Sequence, residues 1–154
     1  MSKIRLQHKE LPYILTTDFD SFEMDRVHRW LSREAYWSAG IPLATLKRAF
    51  ENSISFGLFH EKNGQVGVAR MVTDKATFAY LADVFIDEIY RGMGLAKWMM
   101  ESIMAHPELQ GLRRTMLATS DMHSLYRKFG FEDVGESEIL MEIVKPDIYK
   151  GMYG

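Results

Sequence analysis

The chain has 154 residues, 47% of them hydrophobic and 26% charged, with a formal net charge of −2. That is enough for one domain with a substantial core, and too balanced a charge for nucleic acid or an anionic membrane to be the main partner. It contains no cysteine, which excludes disulfides, thiolate metal sites and a cysteine nucleophile; no metal is expected. No apolar run approaches the length of a membrane span, and the opening Met1-Ser2-Lys3-Ile4-Arg5 lacks the apolar centre of a signal peptide. The expectation is a cytoplasmic protein whose residues 1–154 form a single domain without repeats or linkers.

In chain order, residues 13–17 read as a short strand after Pro12, followed by a turn rich in Asp and Ser at 18–22. Residues 24–36 predict a helix: Val27, Trp30, Leu31 and Glu34 follow helical spacing, with Asp20, Ser21 or Asp25 as cap. Gly40 and Pro42 break the chain before a second helix at 43–52. A meander follows, with strands at 54–61, 65–73 and 77–86. Asn63-Gly64 suits the positive φ angles of a type I′ hairpin turn, and Val66, Val68 and Val72 mark one face of the second strand. A helix from 95 stops near His106, because Pro107 disfavours helical geometry just before it. Residues 112–118 predict another strand. Asp121 is placed to cap a short helix at 122–129 ended by Gly130. Two strands, 131–134 and 139–143, finish the pattern. The tail from Pro146 carries Tyr149 and Tyr153, aromatics suited to packing on the domain or a partner.

Residues 81–100 organise the rest. A β-branched and aromatic strand ends at Asp87 and Glu88, and an amphipathic helix begins near Leu95, with Trp98, Met99, Ser102 and Ile103 on the same face. Between them lies Arg91-Gly92-Met93-Gly94. Glycines at such a junction allow a tight turn and close approach of a ligand to the main chain. The first N–H groups of the helix have no internal partners, and the dipole there favours negative charge. The prediction is a site for phosphate or pyrophosphate, with a plain glycine turn as the alternative. The third glycine of a Rossmann fingerprint and the Gly-Lys-Ser/Thr of a Walker loop are both missing.

What remains is Arg-x-x-Gly-x-Ala, carried by Arg91, Gly94 and Ala96. It resembles the pyrophosphate-binding motif of the GNAT superfamily of N-acetyltransferases. Further on, Leu125-Tyr126-Arg127-Lys128-Phe129-Gly130-Phe131 is similar to the segment that closes the acyl-CoA site in that family. The predicted order β-α-α-β-β-β-α-β-α-β-β is also the family's. The resemblance spans residues 12–144 and implies an α+β fold, a mixed, largely antiparallel seven-stranded sheet flanked by four helices. Thr119 departs from the pattern, standing where the family often has Asn.

The resemblance implies acetyl-CoA as cofactor and transfer of its acetyl group to a primary amine of a small molecule or peptide, by direct attack in a ternary complex. The diphosphate is expected on the N–H groups of Gly92, Met93, Gly94, Leu95 and Ala96, with charge from Arg91 and Lys97. Phe85 and Ile86 are expected to pair main chain with the pantetheine amides, as a strand adds to a sheet edge. Thr119 would offer a hydroxyl there. Arg127 and Lys128 suit a nucleotide phosphate or, equally, a solvated helix face. Tyr126 holds the position from which many members protonate the leaving thiolate; its other reading is a core tyrosine. An alkylammonium of pKa roughly 10 must lose a proton before it attacks. Asp83 is a candidate base or substrate contact, or else a buried structural carboxylate, with His123 or water as other routes; His28 is expected at the surface. The N–H of Ile86 is a candidate oxyanion donor. The acceptor pocket is expected between the first two helices and the last hairpin, with Tyr36, Trp37 and Phe56 lining it or lying in the core. Acidic Glu34, Asp83 and Glu88 would suit a cation. A second function class stays open, a non-catalytic acyl-CoA-binding regulatory module of the same fold. A homodimer is common in the family.

Overall fold

One sheet takes six strands in chain order: β1 (Arg5–Gln7), β2 (Tyr13–Thr16), β3 (Ile54–His60), β4 (Gly64–Thr73), β5 (Phe78–Ile86) and β6 (Arg114–Leu117). All neighbours run antiparallel except β5 and β6, which are parallel. Among the described residues five α-helices accompany the sheet: α1 (Met24–Arg29), α2 (Leu43–Glu51), α3 (Leu95–Met104), α4 (His123–Arg127) and α5 (Ile148–Gly151). The computed structural model describes residues 3–151; Tyr153, expected in a packing role, lies outside the described residues. Among those residues no helix is long and apolar enough to cross a membrane.

Alternation along the strands splits the core in two, because successive side chains point to opposite faces. Leu15, Phe56, Leu58, Met71 and Leu81 pack with Leu95, Met99, Met100 and Ile103 of α3. Val68 and Phe85 face the other way, toward Val27, Trp30, Leu46 and Phe50 of the α1–α2 layer. Each fully buried aliphatic or aromatic side chain contributes about 1.5–3 kcal/mol, so both layers are held to the sheet.

Four local differences from the sequence reading have physical causes. β1 was not expected; it pairs with β2 through Leu6 and Leu15. The first helix does not run unbroken to residue 36. It widens into a π turn at Trp30–Glu34, where the Ala35 N–H reaches the Trp30 carbonyl at 2.9 Å, and then tightens into a single turn at Tyr36–Ser38. The β3–β4 hairpin has Gly64 alone at positive φ, so it is not type I′. His60 Nδ1 instead accepts the N–H groups of Lys62 and Asn63, both at 3.1 Å, and holds a longer turn.

The last difference is a correction to the strand count. Residues 131–134 and 139–143 form no strands; a single turn at Ser137–Ile139 lies between, and Ile139, Met141 and Ile143 are exposed. β propensity describes fit to a half-buried pleated surface, and no strand of this chain offers residues 139–143 one. The sheet is therefore six-stranded, not seven-stranded, and α5 makes a fifth helix.

Two irregularities in β5 position everything that follows. Val68 pairs with Phe85 and Arg70 with Ala82, so Asp83 and Val84 together face Ala69. This is a bulge, and it puts Asp83 at φ +56°. In addition, β6 pairs only with Phe78–Leu81 of β5. From residue 82 to 86 that edge of the sheet has no neighbouring strand among the described residues.

Candidate active site

Where β6 leaves β5, a cleft of about 350 Å³ opens, lined by Tyr36, Trp37, Arg70, Asp83, Thr119 and Tyr126, among others. The bulge turns Asp83 into it. Asp83 Oδ1 accepts the Trp37 indole N–H at 2.9 Å, and Oδ2 accepts Arg70 Nε at 2.6 Å. The Asp83 side chain is only 7% exposed and that of Arg70 20%. Arg70 also donates to Ser53 Oγ at 3.3 Å, and its guanidinium lies over the Phe50 ring at 5.8 Å. A charge this deep needs partners, and Arg70 and Asp83 supply them to each other.

The wall opposite is aromatic. Tyr36 and Trp37 meet edge to face, 5.2 Å between centroids, and remain 67% and 47% exposed. The π turn before them ends the helix, so both side chains leave the α1–α2 layer and reach the cleft. A second tie is the 2.7 Å hydrogen bond between the Tyr36 hydroxyl and Ser120 Oγ, beyond the end of β6. The aromatic pair is thus fixed at both margins of the cleft.

Tyr126 comes from α4 and is 8% exposed. Its ring packs edge to face on Phe131. Among the described residues its hydroxyl has no hydrogen-bond partner, yet its oxygen is not sealed off. Burial pushes its pKa up, and the nearby Asp121 carboxylate adds to the rise. The hydroxyl therefore carries its proton at neutral pH and can donate it into the cleft.

β5 runs on into the glycine loop. Gly92 and Gly94 sit at φ +82° and +80°, and an added Cβ at either would meet nothing within 4 Å. Gly94 is the N-cap of α3. The two glycines are required by conformation, not by crowding, and they leave the helix start bare. Arg91 folds back: its Nε donates to the Ile86 carbonyl at 2.8 Å, and its guanidinium lies 5.1 Å from the Phe85 centroid. Phe85 in turn stacks on Trp30. Met93 is tethered by the Tyr13 hydroxyl, 3.5 Å from its sulfur. Leu95 is buried, Ala96 half-buried and Lys97 exposed.

The structure thus gathers Tyr36, Trp37, Asp83, Thr119 and Tyr126 around one cleft, and Phe85, Ile86 and Arg91 to Lys97 along the strand and loop that extend it. It does not bring Phe56 there. Phe56 is 2% exposed, within the α3-side core, with its ring 5.8 Å from that of His106. The expected last hairpin is absent, and Tyr149 of α5 lines the cleft as part of its far wall. His123 lines an adjoining groove behind β6 that shares Leu117, Ala118, Thr119 and Tyr126 with the cleft. His28 is half-buried, its Nε2 2.7 Å from the Ile41 carbonyl. Thr119 Oγ1 accepts the N–H groups of Asp121 and Met122; the cap expected of Asp121 is not made, because Met122 is the N-cap of α4 and makes no side-chain capping hydrogen bond. Arg127 is paired with Asp133 at 2.8 Å, and Lys128 is exposed. Sequence reasoning missed Arg70 and Ser120. Arg70 had a signal: it is the one charged residue in β4.

Comparisons with known proteins bear on the family and the fold. The family described as acetyltransferase (GNAT) domain matches residues 52–133. A Gibberella zeae protein named "Putative acetyltransferase FG08082" is 36% identical over 146 residues, covering 80% of this chain and 81% of its own. A Xanthomonas campestris pv. campestris crystal structure, described as a "putative acetyltransferase belonging to the gnat family", is 44% identical; it covers 90% of this chain and 98% of its own, with a TM-score of 0.87. A Clostridium acetobutylicum acetyltransferase structure with acetyl-CoA shares the fold at 17% identity and a TM-score of 0.57, over 86% of this chain and 94% of its own.

Proposed function

Because the chain belongs to the GNAT family of acetyltransferases, we propose that its cleft takes acetyl-CoA along the unpaired half of β5 and that the acetyl group passes to a primary amine of a small molecule or peptide. One observation carries the reading. Among the described residues the edge from 82 to 86 has no strand partner, and it runs directly into a bare helix N-terminus. An amide-bearing chain that ends in a diphosphate matches such a track, with strand-like pairing at one end and helix N–H groups at the other.

The residues present fit that group. The N–H groups from Gly92 to Ala96 suit the diphosphate, with Lys97 as the next residue in the chain; Lys97 and Lys128, the latter at the end of α4, are both exposed cations. Arg91 acts less as a free charge than as the tie that holds the loop to Ile86. Thr119, already an acceptor, keeps its hydroxyl hydrogen as a donor. Bound there, acetyl-CoA supplies an acyl carbon activated as a thioester.

The chain's own residues do the rest. Main-chain N–H groups of the open edge, Ile86 among them, are donors for charge developing on the carbonyl oxygen. Tyr126 holds a proton at its hydroxyl for the departing sulfur. Asp83 serves as an anchor that sets Trp37 and Arg70, since both its oxygens are engaged; water at the open rim takes the proton of the amine. Tyr36 and Trp37 face the acceptor and favour an amine that carries an apolar or aromatic group.

The test is release of free thiol from acetyl-CoA across a panel of primary amines, including arylalkylamines and a lysine peptide. Release above the amine-free rate with at least one of them is expected. Tight acetyl-CoA binding by calorimetry without thiol release from any amine would leave an acyl-CoA-binding module instead.

A further inference from the structure

We propose that the recess between β1, β3 and the end of α3 is a binding site for a small, neutral, largely apolar molecule that carries one oxygen acceptor, such as an aryl ketone, and that the buried His106 donates to that oxygen.

The recess has a volume of about 230 Å³. Among the described residues, it shares none of its lining with the cleft at Asp83. Ile4, Leu6, Leu15, Phe56, Ala105 and Pro107 give it apolar walls. Leu15 and Phe56, each 2% exposed, belong to the core itself, so the recess reaches inward from the surface. A dry apolar cavity of about 150 Å³ already accommodates benzene, whereas drug-sized ligands take about 300–1,000 Å³. The volume therefore suits a single ring with a short substituent.

Among the described residues that line it, His106 alone is ionisable, and it is 4% exposed. Its Nδ1 accepts the Glu108 N–H at 3.0 Å, which leaves the hydrogen of the neutral ring on Nε2. Burial lowers the pKa of the ring and keeps it in this neutral form at pH 7. The Phe56 ring meets the imidazole edge to face, 5.8 Å between centroids, so the orientation of the donor is held from two sides. Among the described residues the Nε2–H has no hydrogen-bond partner, yet the nitrogen is not sealed off. Native proteins rarely leave a buried donor unpaired, because it has lost its water. The recess is where the missing partner fits.

The other polar groups on the lining are already engaged. Thr16 Oγ1 accepts the Asp18 N–H at 3.1 Å, Thr17 Oγ1 accepts the Ile4 N–H at 2.9 Å, and Ser102 Oγ donates to the Trp98 carbonyl at 2.9 Å. A trapped water needs about 2–4 polar partners, and here it finds one ready donor. An ammonium would set donor against donor. A carboxylate would be buried against apolar walls with no cation on the lining. An apolar body with one carbonyl oxygen satisfies both the walls and the imidazole.

Acetophenone is the probe, and α-methylstyrene, in which C=CH₂ replaces C=O, is its match. In NMR titrations of the isotope-labelled full chain, both should give saturable shifts of the Leu15 and Ala105 methyl groups, with a dissociation constant of about 1 mM or tighter for acetophenone. Only acetophenone should move the His106 Nε2 resonance, because only it offers an acceptor. Ser102→Leu and Ala105→Leu each place a larger side chain in the recess; each should keep the helical circular dichroism and weaken acetophenone binding by about tenfold or more. With two filling variants, one that failed to fold would still leave the other to decide. Absence of saturable shifts at about 10 mM acetophenone would overturn the proposal. So would binding that survives both filling variants unchanged, which would move the probe elsewhere, or an equal Nε2 shift with both compounds, which would leave an apolar cavity indifferent to His106. A bound water that keeps its cross-peak to the Nε2–H in the presence of the ketone would do the same, since solvent would then be the partner.

Discussion

Asp83 gives Oδ1 to Trp37 and Oδ2 to Arg70, and it does so from a left-handed backbone that few residues tolerate. Asp83→Asn is an informative change because Asn accepts that backbone nearly as well; only the charge is lost. Arg70 then stays buried without its counter-ion. The expected outcome is a loss of about 1.5–3 kcal/mol in urea unfolding, together with a pH–rate profile of unchanged shape. A profile that loses its acid-side dependence would return Asp83 to the role of base. Tyr126→Phe removes one hydroxyl that has no hydrogen-bond partner among the described residues, so its packing on Phe131 persists. A fall in kcat toward the lower end of about 10²–10⁴-fold is expected, because a thiolate leaves readily, with acetyl-CoA affinity and Tm nearly unchanged. Full kcat, measured where chemistry limits the rate, would place the tyrosine among the packing residues. Tyr126 was legible in the sequence because its neighbours form a contiguous motif. The partners of Asp83 were not: Arg70 and Trp37 lie 13 and 46 residues away, and only the strand register and the π turn bring them in. Phe56 was misread for the related reason that a strand aromatic shows its period but not which face is the core.

At the scale of elements, the glycine loop follows from local chemistry alone. Two glycines in the left-handed region end a strand and start a ten-residue helix. Gly94→Asp adds both backbone strain and a negative charge where a diphosphate would lie. Gly94→Asn adds a comparable strain without the charge. Acetyl-CoA affinity, measured by calorimetry, should drop between tenfold and a hundredfold, about 1.4–2.7 kcal/mol, for the Asp variant, and several-fold at most for the Asn variant. Equal affinities for the two would remove the diphosphate from the loop. The meander and the helix after the loop could be read from the sequence because their periods and turn residues agree. The hairpin type could not, since His60 captures two turn N–H groups that sequence pattern does not reveal. The final two strands were predicted from propensity, and propensity cannot name the neighbour a strand needs.

Across the whole molecule, one buried titratable group couples stability to acid. His106 sits at the end of α3 beside Phe56, where burial lowers its pKa; Glu108 partly offsets this and Lys75 adds to it. Its Nδ1 accepts the Glu108 N–H at 3.0 Å, which requires a neutral ring. The unfolded chain takes up this proton below about pH 6.5, whereas the folded chain resists it. Stability from this group is therefore complete above that pH and declines as pH falls through the folded value, by at most about 1.4 kcal/mol per pH unit. Urea midpoints between pH 7.5 and 5 should show the decline, and His106→Asn, which can still accept the Glu108 N–H, should flatten it. The open half of β5 has a wider consequence. A ligand read by main-chain N–H and C=O groups is nearly blind to which side chains stand on the strand. Alanine scanning along residues 82–86 would thus understate the site, and proline scanning, which deletes the N–H itself, would expose it. Substitutions along such a strand would therefore leave contacts made through its main chain in place.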